Sequence, residues 1–412
     1  MLTFVDGQQF AQSPMGDVVA ISGTDGRRGR PYRHVAFVPH PLGDEPKLSS
    51  QTWRAVANAR AALAKLDQAS QQVRDPGLLR RPSLAREAHS TSALEGTFAP
   101  LEDVLAAATM TQRSGELTEV VNYMLAANFA YDDVMLGRKI SLGLLETVHR
   151  TLVRGTVADT DQAGRIRTIQ VAIGSPSGAI EDSRFVPMPP GVALTAAIRD
   201  TIDWVHSNTS LRDPVVSAAM VHYQFETVHP FNDGNGRVGR MLIVLQFLAD
   251  GVLTQPILSM STWLEARRST YQDLLAEVSA TGDWDAWIGF FAEGVRASAL
   301  DVASRVDRLW GLQQRFRSIL DAAGVKGLAV DIAHELISTP VVTIAGLAKR
   351  FGKSNPATST AVAKLVELGI LRRPDTSYAR QFVAPDVMAA ALLPFGSVLA
   401  ADAPLARESN LP

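Results

Sequence analysis

The segment His229-Pro230-Phe231-Asn232-Asp233-Gly234-Asn235-Gly236-Arg237-Val238-Gly239-Arg240 joins two strongly apolar runs. Before it, Asp213-Pro214 offers an N-cap followed by proline at the first helical position, so PVVSAAMVHYQFETV reads as a helix over about 214–228. That helix is apolar on most faces, which predicts burial. After it, a second mostly apolar helix runs from about Arg237 to Asp250 and is closed by Gly251. Two buried helices joined by a polar, glycine-rich loop form the centre of the molecule and make the fold mainly α.

The loop itself has the parts of a polyphosphate cradle. Gly234-Asn235-Gly236 can adopt positive φ and turn backbone N–H groups inward as an anion nest. It feeds into a helix N-terminus, with its unsatisfied donors and partial positive charge. Arg237 and Arg240 lie at i and i+3 on one helix face, where both can fork onto phosphate oxygens. Asp233 is an oxygen ligand suited to Mg²⁺. His229 is a base, mostly neutral at pH 7 with an ordinary pKa of ~6.5. Each residue also has a bland reading: a core histidine, a turn-shaping aspartate, arginines on a solvated face. Their convergence on one loop favours chemistry. His222 and Tyr223, on the buried helix, read as core.

Working outward, alanines and leucines at helical spacing follow the N-cap candidates Ser49 and Ser50. Further helices are expected over about 83–94, 101–110, 116–136 and 141–153, with Gly96 as a C-terminal cap. Residues 164–190 change character: β-branched Ile166, Ile169, Val171 and Ile173, a GSPSG turn and FVPMPP read as a β-hairpin or extended flap. Residues 1–49 read as an irregular arm with a basic cluster at Arg27, Arg28, Arg30 and Arg33. Over 326–385 three helices and two short extended runs suggest a winged helix-turn-helix domain. The organisation expected is an arm (1–49), an N-terminal helical region (50–110), a catalytic core (111–300), a connecting helix (301–325), the winged helix (326–388) and a loose tail (389–412).

Composition bounds the chemistry. The 412 residues contain no cysteine, which excludes disulfides, thiolate catalysis and cysteine-ligated metal sites. Neither a secretory signal nor the ~20 apolar residues of a membrane span is visible, so a soluble, cytoplasmic protein without membrane partners is expected. The formal charge is −2 overall, but residues 326–385 hold eight basic and four acidic residues, leaving the rest near −6. A locally basic winged helix suits duplex DNA, with Ser354, Asn355, Thr358 and Thr360 near its third helix start; protein docking is the alternative. The loop lacks the lysine of a Walker A motif, and no nucleophile elbow is present.

HPFNDGNGR matches, at every specified position, the motif of the Fic (filamentation-induced-by-cAMP) family, and Arg240 supplies its second arginine. The flap ending in FVPMPP resembles that family's target-docking hairpin. Thr91-Ser92-Ala93-Leu94-Glu95-Gly96 is similar to its inhibitory motif, and the C-terminal unit looks like one often appended to such proteins. The resemblance covers roughly residues 45–300 and implies AMP transfer from ATP to a Tyr, Thr or Ser hydroxyl of a protein. His229 would take the proton and Asp233 would hold Mg²⁺. Gly234, Asn235 and Gly236 would cradle phosphate, and Arg237 and Arg240 would steady the leaving pyrophosphate and the γ-phosphate. Tyr271 and Gly282-Asp283-Trp284 would wall the nucleotide pocket. Glu95, helped by Thr91, would pair with Arg240 and inhibit the enzyme. Removal of AMP, transfer of another nucleotide or phosphate group, and a DNA-binding regulator with a nucleotide-sensing core remain alternatives. The target protein, self-modification and a homodimer are left open.

Overall fold

Helical periodicity in the sequence becomes helix in the computed structural model, 62% of which is helical. The structure describes residues 8–24, 29–71, 77–110, 112–175, 179–207, 211–374 and 381–397. Arg27 and Arg28 of the basic arm, Pro176-Ser177-Gly178 of the flap turn, Asp375 and Arg380 of the expected wing, and tail residues 398–412 lie outside the described residues. In chain order the elements are β1 (Gly16–Thr24), β2 (Pro31–Pro39), α1 (Ser50–Gln71), α2 (Gly77–Leu94), α3 (Leu101–Ala106), α4 (Gly115–Met135), α5 (Leu142–Val153), α6 (Val192–His206), α7 (Pro214–Val228), α8 (Asn235–Ala249), α9 (Ser261–Glu265), α10 (Arg268–Thr281), α11 (Trp284–Ala322), α12 (Leu328–Glu335), β3 (Val341–Thr343), α13 (Ile344–Phe351), α14 (Asn355–Glu367), β4 (Gln381–Val383) and α15 (Pro385–Leu392). The chain divides into two units: residues 1–61, 122–254 and 263–296, and residues 62–121, 255–262 and 297–412.

The first unit is built around α7 and α8. Asp213 caps α7 through Val215 N at 2.8 Å, with Pro214 at the first helical position. Nearly every α7 side chain is buried, as its apolar faces require. Gly239 sits where α7 and α8 approach: a Cβ there would lie 2.3 Å from Glu226 Oε1 and 3.0 Å from Phe225 Cδ1. α8 starts at Asn235 rather than Arg237, so Asn235 and Gly236 belong to its first turn.

Two expectations for this unit are corrected. Residues 16–39 are an antiparallel hairpin, not part of an irregular arm. Its β-formers Val18, Val19, Ile21, Val35 and Phe37 lie in the paired strands, and Phe37 packs with Phe10 and Phe185 at centroid separations of 5.4 and 5.8 Å. The 164–190 flap is extended but makes no ladder among the described residues. It has a single antiparallel bridge, Ile173 to Phe185, and a short 3₁₀ turn at Ile180–Asp182. Pro187, Pro189 and Pro190 have no N–H to donate, and Gln170 Nε2 takes the Pro187 carbonyl at 2.8 Å, so few groups remain for pairing.

In the second unit, α2 ends in a Schellman-type cap. Gly96 has φ 90°, Gly96 N donates to Ala93 O at 3.0 Å and Thr97 N to Ser92 O at 2.9 Å. Glu87 on α2 is buried; Oε2 accepts from Ser261 N at 2.9 Å and from Ser259 Oγ at 3.2 Å, and Oε1 from Ser261 Oγ. The C-terminal segment orders as α12, β3, α13, α14, β4 and α15, with β3 and β4 antiparallel. α11 runs 39 residues without a break at 300, so no separate connecting helix begins there. The chain is not loose from 389: α15 continues to Leu392, and Arg86 and Arg305 both donate to its terminal carbonyls, sharing Leu393 O at 3.0 and 2.9 Å.

Candidate active site

The loop between α7 and α8 starts with an unusual backbone. His229 caps α7 at φ 51°, ψ 63°, the left-handed region, and is the single non-glycine residue with positive φ among the described residues. Such a conformation costs of order 1–3 kcal/mol and persists where its surroundings over-determine it. Here His229 N donates to Phe225 O at 2.9 Å, and Pro230, lacking an N–H, ends the helix. His229 Nδ1 lies 3.1 Å from Glu226 O. A carbonyl only accepts, so Nδ1 carries the proton and Nε2 is the basic nitrogen.

Phe231 pins the next stretch. It is fully buried and stacks on His149 with centroids 4.1 Å apart and planes 3° from parallel. Asn235 clamps the loop from the other side: its Oδ1 accepts from Phe231 N and its Nδ2 donates to Phe231 O, both at 2.8 Å. The Asn235 side chain is therefore committed to shaping the loop. His149, on α5, accepts from Gly164 N at Nδ1, 2.8 Å, so its Nε2–H donates to Asp233 O at 3.0 Å. Burial pushes the His149 pKa down from 6.5 to about 4, with the Asp233 carbonyl opposing, and the bond from Gly164 N requires the neutral ring.

Gly234 has φ 73°, and a Cβ there would sit 2.9 Å from Leu152 Cδ2, so conformation and space both demand glycine. Gly234 is the N-cap of α8 and offers no side-chain cap, which leaves a helix N-terminus suited to an anion. Asp233 Oδ1 accepts from Gly234 N and faces Arg237 Nη2 at 3.5 Å; its side chain is 54% exposed. Arg237 and Arg240 are 4% and 3% exposed, unusually deep for arginine. One loop thus collects His229, Asp233, Gly234, Asn235, Gly236, Arg237 and Arg240.

The other sequence candidates lie outside the loop itself. Tyr271 is a buried packing residue: its hydroxyl lies 2.8 Å from His222 Nε2, and its ring lies near Trp287. His222 Nδ1 reaches Gly239 O at 3.1 Å, and full burial lowers its pKa to about 3. Tyr223 is buried against Trp284, and His222 and Tyr223 pack as core residues. In the second unit, Thr91 is fully buried on α2, whereas Glu95 is exposed just beyond the helix end. Thr358 is also fully buried, its hydroxyl donating to Ser354 O at 2.9 Å, which removes it from any reading face.

Sequence reasoning missed two residues of the loop's surroundings. His149 lies in an ordinary amphipathic helix and carried no signal. Arg167 interrupts the β-branched run Ile166–Ile173, and an arginine there was the one available clue.

The Fic/DOC family domain matches residues 139–247, and the Fic/DOC family N-terminal region matches residues 53–132. The protein adenylyltransferase fic-1 of Caenorhabditis elegans is 33% identical over 161 residues, which are 39% of this chain and 28% of that protein. The protein adenylyltransferase Fic of Aedes aegypti is 31% identical over 155 residues, 37% of this chain and 27% of that one. The matched segment therefore spans less than a third of either relative's length. The crystal structure of a Fic family protein from Desulfovibrio desulfuricans G20 is similar with a TM-score of 0.52 at 22% identity, covering 83% of this chain and 98% of that one, a likeness of fold. Among the described residues no helix is long and apolar enough to cross a membrane.

Proposed function

We propose that this chain, which carries Fic/DOC family regions over residues 53–132 and 139–247, is a protein adenylyltransferase, moving AMP from ATP to a Tyr, Thr or Ser hydroxyl of a protein. The observation that carries the reading is the left-handed His229, with Nδ1 bonded to a carbonyl, beside an uncapped helix N-terminus and two buried arginines. In the reaction the target hydroxyl oxygen bonds to the α-phosphorus. His229 Nε2 takes the hydroxyl proton, the bond from the α-phosphorus to the α–β bridging oxygen breaks, and pyrophosphate departs. The first-turn N–H groups of Asn235, Gly236 and Arg237 hold phosphate oxygens. Arg237 steadies the departing pyrophosphate and Arg240 the γ-phosphate, so catalysis is positioning plus charge stabilisation.

The donor set suits one Mg²⁺ carried in by the nucleotide. Asp233 is a single, half-exposed carboxylate whose Oδ2 has no protein partner among the described residues, and Mg²⁺ is typically held by one or two carboxylates plus phosphate oxygens. When bound, the ion would supply charge neutralisation to the phosphates.

Glu95, helped by Thr91, is proposed to restrain the enzyme by pairing with Arg240 in place of the γ-phosphate. Incubating wild type, Glu95→Gly and His229→Ala with ATP labelled at the α- or γ-phosphate tests the scheme. Protein label from the α-position alone, raised in Glu95→Gly and lost in His229→Ala, supports it; label from γ, or none in any lane, refutes it.

A second reading concerns residues 326–388. The helix–strand–helix–helix–strand order and exposed Lys353, Ser354, Asn355 and Thr360 support a winged helix that meets DNA phosphates. Salt-dependent binding of a random duplex by the full chain would support this; absence at low salt would refute it.

A further inference from the structure

Arg167 is a buried cation that the reaction scheme does not use. It is 1% exposed and lies at the start of the flap. Its guanidinium spans the flap's two legs and the end of α7: Nη1 donates to Ile169 O at 3.1 Å, Nη2 to Met188 O at 2.6 Å and Val228 O at 3.5 Å, and Nε to His229 O at 2.8 Å. Its own backbone N–H donates to Pro230 O at 2.9 Å. Three successive carbonyls, of Val228, His229 and Pro230, thus converge on one residue at the place where α7 gives way to the left-handed turn. No carboxylate pairs with the guanidinium among the described residues; carbonyl dipoles, including those at the α7 C-terminus, take that part.

From this geometry we propose that Arg167 is the positioning residue that fixes the His229 imidazole and sets the flap in register with it, so that a hydroxyl carried by a peptide on the flap meets the base in line. The proposal rests on His229 being the base of AMP transfer. The left-handed turn at His229 has two internal supports, its N–H and its Nδ1, and both belong to helix α7. Arg167 Nε supplies the hold on the His229 carbonyl from outside the helix. Because the same planar group also grips Ile169 and Met188, flap and base cannot shift independently. A lysine keeps the charge but has a tetrahedral ammonium with three donors, and cannot reproduce the planar fork. Loss of that fork lets the imidazole drift by an amount comparable with the ~1 Å that costs on the order of 100-fold in rate.

The test compares Arg167→Lys with the parent in the Glu95→Gly background, by label transfer from α-labelled ATP, by ATP affinity and by ¹⁵N spectra of the histidine rings. The expected result is an AMP-transfer kcat lower by about 100-fold, ATP affinity within about threefold, and a changed His229 ring signature while His149 and His222 keep theirs. Equal losses in transfer and ATP affinity, joint changes in all three histidines, or an unchanged His229 signature would overturn the proposal. Absence of transfer in the parent would instead count against the adenylyltransferase reading, and the ring spectra would still decide the role of Arg167. Should Arg167→Lys not fold, hydrogen exchange at the wild-type Arg167 Nε–H decides. Protection about 1,000-fold above an exposed arginine is expected for a donor locked onto the His229 carbonyl, and rapid exchange would refute it.

Discussion

His149→Gln tests whether the neutral imidazole beneath the loop couples its shape to pH. In the folded protein both ring nitrogens are committed, Nδ1 accepting from Gly164 N and Nε2–H donating to Asp233 O, so protonation breaks the first bond. Burial holds the pKa near 4 against 6.5. Below pH 6.5 the unfolded chain binds a proton that the folded chain refuses, so stability falls with pH until about 4, where the folded ring also protonates. A gap of about 2.5 units at about 1.4 kcal/mol each corresponds to roughly 3 kcal/mol lost across that window. His222 loses stability over an overlapping window, down to about 3, but does so equally in both proteins and cancels in their difference. Glutamine keeps one donor and one acceptor and does not titrate. The measurement is amide exchange of the slowest α7 and α8 amides in wild type and His149→Gln at pH 7, 5.5 and 4.5. Glutamine should be the less stable at pH 7, through loss of the Phe231 stack, with the difference shrinking by about 2–3 kcal/mol toward pH 4.5. A difference that stays constant with pH would refute the neutral, doubly bonded assignment.

Gly234→Ala should destabilise the first unit by about 2–4 kcal/mol, combining left-handed strain with the Leu152 clash, and should abolish AMP transfer. Thermal unfolding and α-label transfer check both parts. Asp233→Asn should leave melting within about 0.5 kcal/mol of wild type, because its side chain is half exposed, while raising the Mg²⁺ concentration needed for half-maximal transfer at least tenfold. Arg86→Ala should weaken the second unit by about 1–3 kcal/mol, since it removes donors to Ala391 O and Leu393 O. Faster proteolytic cleavage after Pro385 would report that loss, and an unchanged cleavage rate would count against it.

The parts legible in the sequence are those whose causes are local. Asp213-Pro214 starts α7 wherever that helix packs, and a Gly-rich polar loop between two apolar runs ends one helix and opens the next. The 16–39 hairpin was not legible, because only Ala36 and Phe37 of its central residues bury deeply, against Phe185 and Val186 far along the chain. Of the two forms expected for the flap, hairpin or extended, the structure takes the extended one. Its β-branched residues promised a ladder, but its prolines lack donors and its carbonyls are taken by Arg167 and Gln170 side chains.

By itself, the sequence determined the helical class, the position of the loop and the identity of the groups gathered there: a histidine, a carboxylate, two arginines one turn apart and glycines at the turn. Those follow from spacing and backbone chemistry that act within a few residues. Tertiary structure alone decided how the histidine is aimed. The left-handed His229 is held from outside by a guanidinium 62 residues away in the chain, and Asp233 by a neutral imidazole 84 residues away. Hydrogen bonds of that range exist only once packing has brought the carbonyls and their donors together and excluded water, and no local pattern in the chain encodes that convergence.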